Sequence, residues 1–191
     1  MKRSSLILSV VAILTCLLMF KHDQAMAAQK YAKYDSAGIS FEYPADWKSF
    51  PRDFVASMKS SMASELKKYN RTLRVLEMYI SPNEEVALFF SSADPEPTIS
   101  AQSVVAEREK VHEDAMKARD VTKVNILVEE KVNEWPAVRE DVERSNGGRG
   151  CTVKILAHAK LLEFSLVVNN KANFDKYKGE LDHILASLSL R

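Results

Sequence analysis

Four strand-like runs follow one another in the last third of the chain with no helix between them. They cover residues 121–132, 136–144, 151–157 and 161–168, and Asn146-Gly147-Gly148 is a hairpin turn between the second and the third. Strands joined by connections this short pair antiparallel, because parallel pairing needs a crossover of about a dozen residues or more. The sequence therefore predicts a largely antiparallel sheet.

An earlier strand is predicted in segment 38–47, which reads Gly-Ile-Ser-Phe-Glu-Tyr-Pro-Ala-Asp-Trp. Ile39, Phe41 and Tyr43 alternate with polar residues, and Pro44 ends the strand. A large aromatic placed just after this proline can pack where the chain turns. We therefore expect Trp47 to anchor the strand to the core.

A hairpin and three helices complete the pattern. Residues 73–80 and 86–92 predict two strands around the turn at 81–84. Helices are predicted at 51–69, from a cap at Thr98 or Ser100 to about residue 119, and at 172–188. The apolar residues assigned to their packed faces are Phe54, Val55, Met58, Met62 and Leu66; then Val104, Val111 and Ala115; then Phe174, Tyr177, Leu181, Ile184, Leu185 and Leu188.

This order of elements predicts an α+β fold with helices packed on a sheet of about six or seven strands. The second helix has a thin apolar stripe and a mostly charged circumference, so we expect it to lie on the surface. No repeat, long linker or low-complexity tract divides the chain. Residues 28–191 are therefore expected to form a single domain.

Residues 1–27 are interpreted as a secretory signal peptide. Lys2 and Arg3 precede an apolar run that ends at Phe20, and Ala25 and Ala27 are the small residues of a cleavage site. The run is short for a transmembrane helix, which needs about 20 apolar residues. We expect export to the periplasm or another extracytoplasmic space with no membrane span after processing, or membrane association if the signal is retained.

The charge balance argues against nucleic-acid binding, and the cysteine content argues against an internal disulfide. Without residues 1–27 the chain carries nearly equal numbers of acidic and basic residues, so no electrostatic footprint for nucleic acid is present. Of the two cysteines only Cys151 remains, so no internal disulfide can form. Packing alone must hold the core.

Segment 38–47 and the end of the chain resemble the PsbP-like (DcrB-like) family. Its domains open with Gly, Ile-Ser-Phe-x-Tyr-Pro and a nearby Trp, and close with an Ile-Leu-x-Ser-Leu phrase that matches Ile184 to Leu188 here. Asn133 to Ala137 stands where many members carry Gly-x-Pro-Ala, although Glu134 replaces the glycine. The resemblance implies an α/β/α sandwich around an antiparallel sheet. It also implies a binding role, since what the members share is mostly binding to other proteins.

Several residues could carry chemistry, but their sequence context favours structural roles. Cys151 shares a strand face with Val153 and Ile155 and is interpreted as a buried thiol. Glu109 and His112 have Glu-x-x-His spacing, but charged neighbours indicate a solvated helix face. His158 at a turn and His183 on the last helix show no partner in sequence. Three adjacent carboxylate pairs are interpreted as surface charges: Glu84-Glu85, Glu129-Glu130 and Glu140-Asp141.

Residues 147–150, Gly-Gly-Arg-Gly, precede a strand and lack the lysine of a phosphate loop, so they are interpreted as a turn. The sequence also has no nucleophile elbow, zinc-protease or dinucleotide motif. We therefore predict no catalytic residue, metal site or cofactor.

The leading hypothesis is a non-enzymatic, exported protein of the cell envelope that binds another protein or supports a membrane-associated assembly. One alternative is a carrier that holds a small apolar ligand between sheet and helix, lined by Phe54, Met58, Met62 and Trp47. A second alternative is a thiol-dependent enzyme that uses Cys151 and His158. An apolar cavity would favour the carrier, and a contact between Cys151 and His158 in a cleft would favour the enzyme.

Overall fold

A computed structural model describes residues 30–67, 70–94 and 99–191. The predicted signal peptide, Thr98 and the predicted end of the first helix at 68–69 lie outside these ranges. The strands and helices are, in chain order, β1 (Tyr31–Ser36), β2 (Ile39–Pro44), β3 (Lys48–Ser49), α1 (Arg52–Lys67), β4 (Thr72–Ile80), β5 (Val86–Asp94), α2 (Ala101–Lys117), β6 (Val121–Val132), β7 (Trp135–Arg144), β8 (Arg149–Ala157), β9 (Lys160–Val168), α3 (Phe174–Ala186) and β10 (Ser189–Leu190).

The predicted hairpin and the four predicted strands form, together with the short β3, one antiparallel sheet of seven strands. Its order is β3-β4-β5-β9-β8-β7-β6. The turn at 146–148 is confirmed, since Gly147 has a φ of +82° and its N–H donates to the carbonyl of Arg144. Strand β6 lies at one edge of the sheet and the two-residue β3 at the other.

Strand β2 belongs to a second sheet that the sequence did not predict. It pairs antiparallel with β1 on one side and with β10 on the other. Gly38 has a φ of +75°, and a Cβ there would lie 2.9 Å from the carbonyl oxygen of Arg191. A glycine is therefore required where the last residue closes on the β1–β2 turn.

Helices cover both faces of the seven-stranded sheet. The aromatic face of β5 and β9 packs against α3 and the small sheet, with Phe41, Phe90, Phe164 and Phe174 at most 1% exposed. On the opposite face, Leu76 and Met78 of β4 pack against α1. This is the α/β/α sandwich around an antiparallel sheet that the resemblance implied, and it confirms the predicted fold class.

The packed faces of the helices differ in part from prediction. All six apolar residues assigned to α3 and the loop after it are buried. In α1, Val55 and Met58 are half-buried, but Phe54 is 46% exposed. In α2, Ser100 provides the cap and Val104 is buried, whereas Val111 is 40% exposed and His112 is buried in its place. The inward face of α2 is thus rotated from the apolar stripe towards a polar partner on the sheet.

No helix within the described ranges has both the length and the apolar character needed to cross a membrane.

Candidate functional site

Cys151 is buried in β8, as predicted. Its side chain is fully shielded, like those of Val153 and Ile155 beside it. Arg139 Nη1 donates to Cys151 Sγ at 3.7 Å, but burial outweighs this cation and raises the pKa of the thiol to about 11. His158 follows the far end of the same strand, roughly 20 Å along it. The structure therefore does not bring together the residues of the thiol-enzyme alternative.

We expect Cys151 to resist alkylation in the native protein. Roughly one thiol in a thousand is ionised at a pH about three units below its pKa, and the sulfur is also inaccessible. Peptide-level mass spectrometry after iodoacetamide treatment should show unmodified Cys151 in native protein and full modification in denatured protein. Cys151→Ala should keep the fold. Rapid labelling of native protein would show that this part of β8 opens readily.

His112 and Glu140 correct the surface assignments made from sequence. His112 is 5% exposed, and its Nε2 lies 3.0 Å from Glu140 Oε2 on β7. Arg108, one turn earlier in α2, donates to both oxygens of the same carboxylate at 2.7 and 3.1 Å. Glu109, the other residue of the Glu-x-x-His phrase, is exposed. This cluster therefore attaches α2 to the sheet, and its three polar groups satisfy one another.

Asp141 is also buried, on the opposite face of β7. Its side chain is 1% exposed and accepts two hydrogen bonds from Arg149, at 2.7 and 2.6 Å. The guanidinium of Arg149 lies 3.9 Å from the ring centroid of Phe174 in α3. The adjacent carboxylates Glu140 and Asp141 point to opposite faces, as predicted, but neither is a surface charge. Each joins the sheet to a different helix.

The other two histidines have partners that the sequence did not reveal. His183 stacks on Tyr31 with ring centroids 3.7 Å apart, and its Nε2 lies 3.1 Å from Glu42. His158 occupies the β8–β9 turn with a φ of +48°, and its ring meets the Trp135 ring edge-on at 6.0 Å. Nowhere in the described residues do three His, Cys, Asp or Glu side chains come close enough to hold a metal ion.

A cleft opens beside the segment that follows β2. It has a volume of about 700 Å³ and a mostly apolar lining, and it is open to solvent rather than enclosed. Three parts of the chain form its walls: the segment after β2, the β4–β5 turn and the first turns of α3. Its lining residues are Lys30, Pro44, Ala45, Asp46, Trp47, Ser81, Pro82, Asn83, Lys176, Tyr177 and Glu180.

Hydrogen bonds fix one wall of this cleft. Tyr177 Oη donates to Glu85 Oε2 at 2.8 Å and accepts from Asn83 Nδ2 at 3.3 Å. Ser81 Oγ donates to Asn83 Oδ1 at 2.8 Å, which closes the β4–β5 turn. The turn is thereby held against α3 by hydrogen bonds within the chain itself, so the wall is preformed.

Trp47 forms the opposing wall and is 7% exposed, which confirms its predicted place in the core. The main-chain N–H of Trp47 donates to the carbonyl of Pro44 at 3.0 Å. The main-chain N–H of Ala45 donates to the carbonyl of Lys30 at 3.0 Å. The side chain of Ala45 is exposed in the cleft. This wall is therefore also held by main-chain bonds.

The rim of the cleft carries charges of both signs. Lys30 and Lys176 lie over the rings of Tyr31 and Tyr177, 4.9 and 4.7 Å from the centroids, and neither forms an ion pair within the described residues. Asp46 and Glu180 also line the cleft, and Tyr31 Oη donates to Glu180 at 3.1 Å. The arrangement can hold an apolar group in the cleft and polar or charged groups at its mouth.

The lining proposed for an apolar carrier is not assembled. Trp47 belongs to the large core on the α3 face, whereas Met58 and Met62 pack against the small cluster on the α1 face, and Phe54 is exposed. Sequence reasoning found Trp47 but missed the rest of the cleft. The turn chemistry at 81–84 was visible, but nothing local indicated that Tyr177 would lie beside it.

The fold is that of PsbP-like proteins. The solution structure of cyanobacterial PsbP from Synechocystis sp. PCC 6803 matches with a TM-score of 0.58 and 14% sequence identity, over 87% of this chain and 95% of that chain. The crystal structure of a Pseudomonas aeruginosa protein of unknown function, described as a candidate regulator, matches with a TM-score of 0.51 and 14% identity, over 84% of this chain and 97% of that chain. No family model and no curated protein matches the sequence. Similarity at this level of identity shows the fold alone.

Proposed function

We propose that this protein is a non-enzymatic binding protein of the cell envelope, and that the cleft between Trp47 and Tyr177 binds an extended segment of a partner protein. The preformed, open and mostly apolar cleft is the observation that carries this proposal. The leader-like pattern of residues 1–27 supports the envelope location.

The shape and charges of the cleft favour a polypeptide over a small apolar ligand. A carrier buries most of its ligand in a closed cavity, whereas this cleft stays open along its mouth. A peptide can place an apolar side chain between Trp47 and Pro82 while its main chain and neighbouring polar groups remain near the rim. Lys30 and Lys176 can then pair with acidic groups that flank the apolar side chain.

Filling the cleft should abolish partner binding without unfolding the protein. Ala45→Arg adds a long side chain at an exposed lining position, and Ala56→Arg makes the same change on the exposed side of α1. We expect Ala45→Arg to weaken binding at least about tenfold and Ala56→Arg to leave it unchanged. Both variants should unfold at the same temperature as the parent chain.

The binding measurement uses a photo-crosslinking amino acid at Pro82, which lines the cleft and is exposed. Irradiation of intact cells should yield one covalent protein adduct, which is lost with Ala45→Arg and retained with Ala56→Arg. Fractionation of the same cells reports the compartment. The proposal is wrong if Pro82 yields no protein adduct, or if native mass spectrometry shows a small apolar molecule that leaves with Ala45→Arg.

A further inference from the structure

The edges of the seven-stranded sheet differ in how they end. One edge is the two-residue β3, which is too short to pair with another chain. The other is β6, which has twelve residues and, among the strands of the described ranges, pairs with β7 alone. A long strand with an unpaired outer side offers a row of main-chain donors and acceptors to an incoming strand.

The middle of β6 lacks two of the residue types that usually protect such an edge, charged residues and proline. Residues 124–128 read Val-Asn-Ile-Leu-Val and contain no proline or charge. Val128 is 47% exposed, while Val124, Ile126 and Leu127 are half-buried.

Exposed apolar side chains concentrate on this side of the described structure. Four large hydrophobic side chains are exposed in the described residues, and three of them lie on β6 or α2. One is Val128, and two more, Val111 and Met116, lie on α2, which packs against β6. Val128 points to the face of the sheet opposite α2, as its cross-strand partner Arg139 does, so apolar side chains are exposed on both sides of this edge.

Charges at the two ends of this stretch are opposite in sign. Lys123 precedes the apolar residues, and Glu129 and Glu130 follow them. When such a strand pairs antiparallel with its own copy, the basic end of each strand meets the acidic end of the other. This complementarity identifies a second copy of the same chain as the fitting partner.

We infer that two copies of this chain pair through β6, antiparallel and around a two-fold axis, so that their seven-stranded sheets form one continuous sheet. In the pairing of β6 with β7, the register shifts between Val121 and Lys123 and again between Val124 and Ile126, so Thr122 and Asn125 are extra residues. We expect the extra residues of β6 to take no part in the ladder of hydrogen bonds between the two copies.

Omitting the extra residues from the ladder fixes the register between the two copies. Leu127 then lies opposite Leu127 of the second copy, Ile126 lies opposite Val128, and Lys123 lies opposite Glu130. The faces agree, because Ile126 and Val128 point to the same side of the sheet, as Lys123 and Glu130 also do. Glu130 already accepts hydrogen bonds from Arg139 of its own chain, so each Lys123 would join this ion pair across the interface, and the apolar residues meet in the centre.

Disulfide trapping of the protein, in the form in which cells produce it, tests the register. Residues directly opposite in an antiparallel pair have Cα atoms about 4.5–5.5 Å apart, within the range that a disulfide spans. Leu127→Cys should therefore form a covalent dimer under mild oxidation at least about ten times faster than Ser60→Cys on the exposed side of α1. The parent chain, with its own cysteines, gives the baseline. A mixture of Ile126→Cys and Val128→Cys chains should link in the same way, which keeps the test valid if Leu127→Cys folds poorly.

Sedimentation velocity tests the charge pairing in solution. Edge-to-edge contacts are small, so we expect dimerisation in the range of roughly 10–100 µM. Lys123→Glu should weaken it about tenfold, because like charges then face each other twice. Lys131→Glu makes the same charge change opposite an uncharged residue and should change it less than about threefold. A parent chain that stays monomeric to roughly 500 µM, equal trapping of Leu127→Cys and Ser60→Cys, or equal effects of the two lysine variants would each overturn the inference.

Discussion

Replacing Trp47 with alanine is expected to lower the free energy of unfolding by about 3–5 kcal/mol. The indole is 7% exposed and belongs to the main core beneath the β4–β5 turn. Its removal takes apolar contacts from that core and joins the space that it leaves to the cleft. Urea unfolding followed by far-ultraviolet circular dichroism gives the change in free energy, because this signal comes mainly from the main chain and not from the deleted indole.

Trp135 is the matched control, since the chain has two tryptophans. Trp135 is only half-buried at the start of β7, so Trp135→Ala should cost clearly less than Trp47→Ala. Trp47→Phe should recover part of the loss because it restores an aromatic ring. Unfolding of Trp47→Ala at the parent's urea midpoint would mean that the cleft wall is not part of the stabilising core.

Replacing Arg149 with methionine should destabilise the protein by about 3–5 kcal/mol at neutral pH. Asp141 is 1% exposed, and its other polar contact is Asn125 Nδ2 at 3.4 Å. Without the guanidinium, a buried carboxylate is left almost uncompensated. The ion pair itself need not be strongly stabilising, so Asp141→Leu combined with Arg149→Met should recover much of the loss.

Arg74→Met provides the comparison at the surface. Arg74 pairs with Asp94, but both side chains are largely exposed, so this change should have little effect on unfolding. Urea unfolding of the parent, Asp141→Leu, Arg149→Met and the double variant gives the coupling free energy between Asp141 and Arg149. If Arg149→Met costs no more than Arg74→Met, water must reach Asp141 in the folded state.

The strands with clear alternation and the helix with six apolar anchors were predictable from sequence. Strands β3 and β10 were not, because two residues carry no periodic pattern, and β1 alternates too weakly to predict a strand. In α2 the apolar residues located the inward face only in part, since Val104 is buried but Val111 is exposed. Arg108 and His112 point inward because β7 presents Glu140 to them, and a helix read alone cannot show that carboxylate.

Local sequence patterns located the long strands, the turns between them and the three helices, because side-chain period, proline and glycine act through neighbouring residues. Only the tertiary structure decided which polar groups are buried and where a cleft opens. Glu140 meets an arginine 32 positions earlier, and Tyr177 meets a glutamate 92 positions earlier. Contacts over such separations form only when the layers pack. The desolvation that makes these groups pair is a property of the packed layers and not of any local segment.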